Sequence, residues 1–391
     1  MKCRKEFVCV VAGGGHAGIH AVHTLRKALK SKENLRIVLI DKAPHHVRKV
    51  LLVKAVVSEA NLTVSWKKLF PDVQVVQGEV IKIDSQSKQI CYCNPHGEEA
   101  AFSYDCLVTA FGSVVKEQKI GVTLSDLAAA ERIRKQVKEN VRKASRHAEP
   151  KERAWFLSAA VIGAGISGIE TAAELASFMR NQAEAQGTDA DEVKIYLVNS
   201  DSRLFPEGPE KLSRRLEREL NKAGVFVMHG CRAIHEENGW LQLSNQKALR
   251  TGLSIFTPGL APNPHLKRIG LPVTERGQVI TDASYRVKGL PGVYSIGDCA
   301  FITDPRNKKA DTMTCKEGTM QAQRLGKIIL ADMQNRPAPV HKAVPPFYCF
   351  GLGSDRGMAW LNLCGFNLIL SGGLGRYIRK KTWDAASLIK R

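Results

Sequence analysis

An apolar strand running into a cluster of glycines and then a helix occurs twice in this 391-residue chain, offset by 150 positions, and that repetition limits the possible folds more than any other feature. The first copy reads Val10-Val11-Ala12-Gly13-Gly14-Gly15-His16-Ala17-Gly18; the second reads Ala160-Val161-Ile162-Gly163-Ala164-Gly165-Ile166-Ser167-Gly168. In such a G-x-G-x-x-G turn the first glycine reverses the chain and the second lets the backbone approach a pyrophosphate. The third brings the helix onto the strand, and the helix's amino-terminal amides favour the anion. Apolar periodicity continues each copy as a helix, over residues 19–29 and 169–179. Asp41 closes the strand after the first helix, 23 residues past Gly18, where a carboxylate can hold a ribose hydroxyl pair. The expected fold class is therefore α/β, with two interleaved Rossmann-like dinucleotide-binding domains and a short C-terminal α/β tail.

A third segment, Gly292-Val293-Tyr294-Ser295-Ile296-Gly297-Asp298-Cys299-Ala300, reads as a strand ending in Gly-Asp, where a carboxylate can accept from the ribityl hydroxyls of a flavin. Two further strand-to-glycine turns lie between, at Ala110-Phe111-Gly112 and Thr257-Pro258-Gly259. This order of five elements resembles the two-dinucleotide-binding flavoproteins over nearly the whole chain. The resemblance implies FAD on the first fingerprint and NADH or NADPH as co-substrate on the second. It implies a cofactor-binding set of Gly13, Gly15, Gly18, Asp41, Lys42, Lys49, Val80, Ala110, Gly112, Gly163, Gly165, Gly168, Asn199, Arg203, Gly259, Gly297 and Asp298. The motifs divide the chain into a FAD-binding domain (1–120 and 275–340), a NAD(P)-binding domain (121–274) and a tail (341–391).

Pyridine nucleotide disulfide reductases carry a Cys-x4-Cys pair after the first acidic residue; here that stretch reads His45-His46-Val47-Arg48-Lys49-Val50-Leu51-Leu52-Val53-Lys54. A dithiol relay is not expected. The same stretch, Gly168-Ile169-Glu170-Thr171-Ala172-Ala173-Glu174 and the 257–264 turn are similar to type II NADH:quinone oxidoreductases and to the ferroptosis-suppressor group of apoptosis-inducing-factor-like flavoproteins. That resemblance implies an FAD-dependent oxidoreductase, a quinone reductase passing two electrons from nicotinamide through flavin to a quinone-like small acceptor. Glu170 is then expected near nicotinamide and flavin, although a carboxylate in a first helical turn is also stabilised by the helix dipole alone. Lys316 and Glu317 are candidates to face the flavin, or else a solvated pair. The expected catalytic residues are Glu170 and Lys316, with no metal site.

The chain also departs from the family pattern. Phe111 stands where the first Ala-Thr-Gly-like turn has a threonine, so a hydroxyl near the flavin is lost or moved. Gln321-Ala322-Gln323 does not reproduce the type II Gln-Gln pair in register. The strand at 195–198 is followed by Asn199 rather than an acid, with Arg203 within reach, which favours tolerance of NADPH; a ribose contact from Asp201, or Arg203 as a mere surface charge, is the alternative.

Composition sets the remaining expectations. The formal net charge of +20 asks for an anionic partner. On a helical wheel the tail separates Leu374, Tyr377, Ile378, Ala385, Leu388 and Ile389 from Arg376, Arg379, Lys380, Lys390 and Arg391, with Lys381 and Trp383 on the wrong sides. Such a helix can lie on an anionic membrane surface, or dock on the protein's own core or a second copy as a homodimer. The basic start, Met1-Lys2-Cys3-Arg4-Lys5, runs straight into the first fingerprint strand, and no apolar run reaches membrane-spanning length, so a cytoplasmic, at most peripheral, protein is expected. Of the ten cysteines only Cys91 and Cys93 are close, and they read as free thiols on one strand face. Two other functions stay open: a soluble reductase for an electron-transfer protein or specialised small molecule, and a binding protein like apoptosis-inducing factor. Nucleic acid is not the expected partner.

Overall fold

The computed structural model describes residues 6–30, 32–116, 118 and 120–388; the basic start and the tail residues Ile389, Lys390 and Arg391 lie outside the described residues. The chain forms two units, one of residues 1–47, 63–114 and 260–344, the other of residues 48–62, 115–259 and 345–391.

Both units are built on one plan, as the repeated fingerprint requires. In the first, five parallel strands lie in the spatial order Val293–Ser295, Cys106–Thr109, Phe7–Ala12, Leu35–Asp41, Gln74–Gln77. In the second, the order is Val122–Thr123, Ser254–Phe256, Ser158–Ile162, Lys194–Val198, Val225–Met228, again all parallel. Strands of a parallel sheet covered on both faces are apolar on both faces, and Ser158–Ile162 and Cys106–Thr109 are buried along their whole length. Each unit also carries a three-stranded antiparallel meander, Glu79–Asp84, Gln89–Cys93, Glu99–Ser103 in the first and Ala233–Glu237, Trp240–Leu243, Ala248–Arg250 in the second.

The units differ from the expected ones chiefly in three respects. The return to the first unit comes at residue 260 rather than 275. Residues 48–62 leave the first unit, because Leu52, Val53, Val56 and Leu62 are buried in one core with Ile133, Val137 and Val141 of the helix Leu127–Ala144. The tail joins the same core: Phe350 meets Phe205 edge-on with ring centroids 5.2 Å apart, and Met358 and Trp360 are buried beside them. Burying each such side chain contributes roughly 1.5–3 kcal/mol, which outweighs any tendency of these segments to stand alone.

Candidate cofactor cradles and a buried charge cluster

The two glycine turns have the same geometry, and each glycine has a separate reason for being one. Gly13 and Gly163 adopt φ of +105° and +106°, and a Cβ there would lie 2.3 Å from the Ala110 carbonyl oxygen or 2.5 Å from that of Thr257. At Gly18 and Gly168 a Cβ would lie 1.8 and 1.7 Å from the carbonyl oxygens of Gly13 and Gly163, so the helix can sit this close to its own turn only without a side chain. Gly15 and Gly165 differ: nothing lies within 4 Å of a Cβ at either position. Both are helix N-caps with extended backbone (φ −71°, ψ −174° and φ −67°, ψ 179°), so the conformation does not require glycine there. Open space beside a helix amino terminus is what a pyrophosphate needs, and the residues present therefore fit two dinucleotides.

The first cradle is completed by Asp41. Its Oδ2 accepts from the Gly14 amide at 2.5 Å and its Oδ1 from the Ala43 amide at 2.8 Å, which fixes the carboxylate at the cradle mouth with lone pairs to spare for a ribose. Two residues brace it, His46 of the His45-His46 pair and Trp66, the second not singled out in the sequence. Buried His46 lies with Nδ1 3.1 Å from the Gly14 carbonyl oxygen, and the Trp66 indole donates to the Ala43 carbonyl at 3.0 Å. Lys42 is exposed beside Asp41, and Val80 is buried in the core of the meander with Ile83 and Ile90. Lys49 is exposed and begins a 3-10 turn in the second unit.

Phe111 packs against the first unit's core instead of offering a hydroxyl, and at the Gly-Asp turn it is the Ser113 Oγ that donates to Asp298 Oδ2, at 2.7 Å. Gly112 has φ +66° with open space around a Cβ, as has Gly259 with φ +82°. In the second cradle Thr257 takes the place that Ala110 takes in the first, and its hydroxyl donates to the Gly163 carbonyl at 2.9 Å. The first cradle lacks that lash.

The Gly297–Asp298 turn is tied to the helix Cys315–Met333. Gln321, 2% exposed, accepts from the Gly297 amide at 2.7 Å through Oε1 and donates from Nε2 to Asp311 Oδ2 at 2.7 Å. Asp311 Oδ1 lies 3.2 Å from His341 Nε2, and His341 Nδ1 lies 3.0 Å from the Tyr285 hydroxyl. Burial pushes that phenol up to about 12, with Arg324 opposing the shift. Glu317 is not a solvated group. It is the acid of a capping box, buried, accepting from the Thr314 amide at 2.9 Å while Thr314 Oγ1 accepts from the Glu317 amide. Thr314 and Glu317 stand three apart, the spacing from which the cap could have been read. Lys316 is half-buried at the second position of that helix.

Glu170 is 2% exposed, and its carboxylate is held by three hydrogen bonds from the tail. Oε1 accepts from the Gly351 amide at 2.6 Å and from Arg379 Nε at 2.6 Å; Oε2 accepts from Arg379 Nη2 at 2.7 Å. One turn on, Glu174 pairs with Lys54 and lies 3.9 Å from Arg376 Nη1. Burial pulls the Lys54 ammonium down, opposed by Glu174. All three cations flank the buried Trp383 indole, Lys54 Nζ and Arg379 Cζ at 4.7 Å and Arg376 Cζ at 5.1 Å from its centroid. The tail helix Gly372–Ala386 thus presents part of its basic side inward. Lys381 is exposed and Trp383 buried, the reverse of what the wheel's apolar side suggested, while Leu374 and Tyr377 are 55% and 58% exposed. Removing one partner of such a buried bidentate pair costs about 3–5 kcal/mol.

After the strand Lys194–Val198, Asn199 is 3% exposed and closes its own turn, donating from Nδ2 to the carbonyls of Asp201 at 3.1 Å and Arg203 at 3.0 Å. The Arg203 guanidinium donates to the carbonyls of Gly208 at 2.9 Å and Pro206 at 2.5 Å and to Ser213 Oγ at 2.8 Å. Its donors serve the loop, and Asp201 is exposed. Among the described residues the cysteines are free, and no group of His, Cys, Asp and Glu is arranged to hold a metal ion.

Comparisons with known proteins agree with this geometry. The chain is 24% identical over 399 residues to a type II NADH:quinone oxidoreductase of Staphylococcus aureus (strain MSSA476), covering 97% of this chain and 95% of the relative. It shares its fold with NDH2 of Plasmodium falciparum, solved in complex with NADH (TM-score 0.81, 17% identity, covering 97% of this chain and 94% of that one). The sulfide:quinone oxidoreductase of Aquifex aeolicus is similar too, with a TM-score of 0.77 at 15% identity, covering 97% of this chain and 90% of that one. The profile of the pyridine nucleotide-disulphide oxidoreductases matches residues 7–344, and the chain belongs to that family.

Proposed function

We propose that this protein is an FAD-dependent NADH:quinone-type oxidoreductase that works without a dithiol relay. The reading is carried by one observation: in both cradles the middle glycine faces open space while the outer two are locked against backbone. The similarity to type II NADH:quinone oxidoreductases along 97% of the chain supports the acceptor class. When bound, FAD supplies the two-electron chemistry. The chain's own part is to bind and orient. Asp41 and the first-cradle amides hold one dinucleotide, Asp298 and Ser113 its ribityl end, and the second-cradle amides the nicotinamide dinucleotide. Glu170 serves nicotinamide positioning, and Lys316 stands at the amino end of the helix that braces the Gly297–Asp298 turn.

The acceptor is met at an anionic membrane surface. No helix among the described residues is long and apolar enough to cross a membrane. Leu363, Phe366, Leu368, Leu374 and Tyr377, all in the tail, are nevertheless 52–82% exposed, in a chain with net charge +20. A second copy of the chain is the competing occupant. Flotation with anionic liposomes tests the assignment: Phe366→Glu should weaken binding, and a variant that floats unchanged removes Phe366 from the membrane contact.

Anaerobic stopped-flow mixing tests the activity itself. Bleaching of the flavin band by NADH, followed by rapid reoxidation on mixing with a short-chain quinone, is the expected result. A bound flavin that NADH does not bleach would overturn the reductase reading.

A further inference from the structure

We propose that Arg379 of the tail helix is the positioning residue for Glu170, so that the tail is part of the nicotinamide site's machinery and not only a surface anchor. The inference rests on the nicotinamide-positioning role given to Glu170 above and goes beyond it to the residue that sets where the carboxylate points.

Three observations carry it. First, the contact is two-pointed and enclosed: Arg379 Nε and Nη2 reach the two carboxylate oxygens at 2.6 and 2.7 Å, with side chains 12% and 3% exposed. A planar guanidinium fork fixes both the place and the plane of a carboxylate, which a lysine ammonium cannot do. Second, Glu170 has no competing cation at hydrogen-bond distance among the described residues. Lys54 bonds Glu174, and Arg376 lies nearest Glu174. Third, the fork is itself held. Trp383, one turn further along the tail helix, lies with its ring centroid 4.7 Å from Arg379 Cζ, and the Gly351 amide takes a remaining site on Oε1 at 2.6 Å. Glu170 sits in the helix that opens at Gly165, two residues past Gly168, whereas every group that fixes its carboxylate comes from residues 351–383. A displacement of the tail helix would therefore act on Glu170 directly.

The test compares Arg379→Gln, Arg379→Lys, Glu170→Gln and the double variant Arg379→Gln/Glu170→Gln, each as the flavin-loaded full chain. The readouts are the dissociation constant of NAD+ for the oxidised protein, the limiting rate of flavin bleaching by NADH, the rate of reoxidation by a short-chain quinone, and Tm. Residues acting through one another are non-additive. Arg379→Gln should therefore change NAD+ affinity or bleaching rate by about tenfold, as should Glu170→Gln, and the double variant should add no more than about twofold. Reoxidation should stay within about twofold of wild type, and Arg379→Lys should fall between wild type and Arg379→Gln. If Glu170→Gln impairs the NADH step and Arg379→Gln leaves affinity and rate unchanged, Arg379 is structural only and the proposal fails while the Glu170 reading stands. If Glu170→Gln itself behaves as wild type, that reading falls and the proposal with it. Should Arg379→Gln not yield folded protein, Arg379→Lys decides: wild-type affinity and rate in it overturn the proposal.

Discussion

The side-chain amide of Asn199 donates to the carbonyl of Arg203, and the Arg203 guanidinium spends its own donors on the carbonyls of Gly208 and Pro206 and on Ser213. Drawing the guanidinium onto a 2'-phosphate would mean opening this self-contained loop. A phosphate would have to displace several of these bonds, each worth about 0.5–1.5 kcal/mol net. NADH is therefore expected to be preferred over NADPH in kcat/KM. Arg203→Ala should lower Tm yet leave the NADH-to-NADPH ratio within about twofold. A selective loss of NADPH turnover in that variant would show that the guanidinium swings out to the phosphate.

The three glycines of each cradle should respond differently to one methyl group. At Gly165 a Cβ has open space and an allowed backbone, so Gly165→Ala should fold, retain FAD and keep a wild-type Tm. The methyl occupies the approach of the pyrophosphate, so KM for NADH should rise by an order of magnitude or more, a loss of roughly 1.4 kcal/mol or above. Gly168→Ala meets the Gly163 carbonyl oxygen at 1.7 Å and should fail to accumulate as folded protein. Steady-state kinetics on the first and soluble yield of the second check the pair. Unchanged KM in Gly165→Ala would remove the second cradle from nucleotide binding.

Gln321 should matter through the amide it satisfies. Gln321→Leu keeps the volume but strands the buried Gly297 amide and takes a donor from Asp311. An unsatisfied buried donor costs about 1–3 kcal/mol, and here the cost falls on the turn assigned to the flavin. The variant should release FAD more readily than wild type, measured as free-flavin fluorescence after desalting. Full retention would make the network from Gln321 to His341 a matter of stability alone.

What the sequence made legible were features set by the local backbone. The glycine turns, Asp41 at the end of its strand and the Gly297–Asp298 turn are all where their spacing placed them, because each is dictated within about a dozen residues by turn geometry. Pairings chosen by tertiary packing were not legible. The wheel showed that the tail helix is amphipathic, but it carried no sign that Arg379 would find Glu170, 209 positions away, and turn basic residues inward. In the same way, residues 48–62 look from the sequence like a continuation of the first unit. Their apolar residues Leu52, Val53 and Val56 match the face of the helix Leu127–Ala144, and burial there assigns them to the second.

Asp304 gives the first unit an acid sensitivity with a definite sign. Hydrogen bonds from the Arg306 guanidinium, and from the amides of Ala343 and Arg306, hold its carboxyl well below the usual aspartate range, against the opposing effect of burial. A folded-state pKa below the unfolded one means that the unfolded chain binds the proton more readily, so stability rises with pH across that interval. The contribution is complete above the unfolded value of about 3.9 and is lost as pH falls from there through the folded value. Asp304→Asn should therefore lower Tm at pH 7, and the difference from wild type should be unchanged at pH 5 and shrink between pH 4 and pH 2. The loss is local as well, because the Ala343 amide, which anchors the segment carrying His341, would face a neutral amide in place of a carboxylate. A Tm difference that is the same at pH 7 and pH 2 would mean that Asp304 stabilises the unit by packing rather than by its charge.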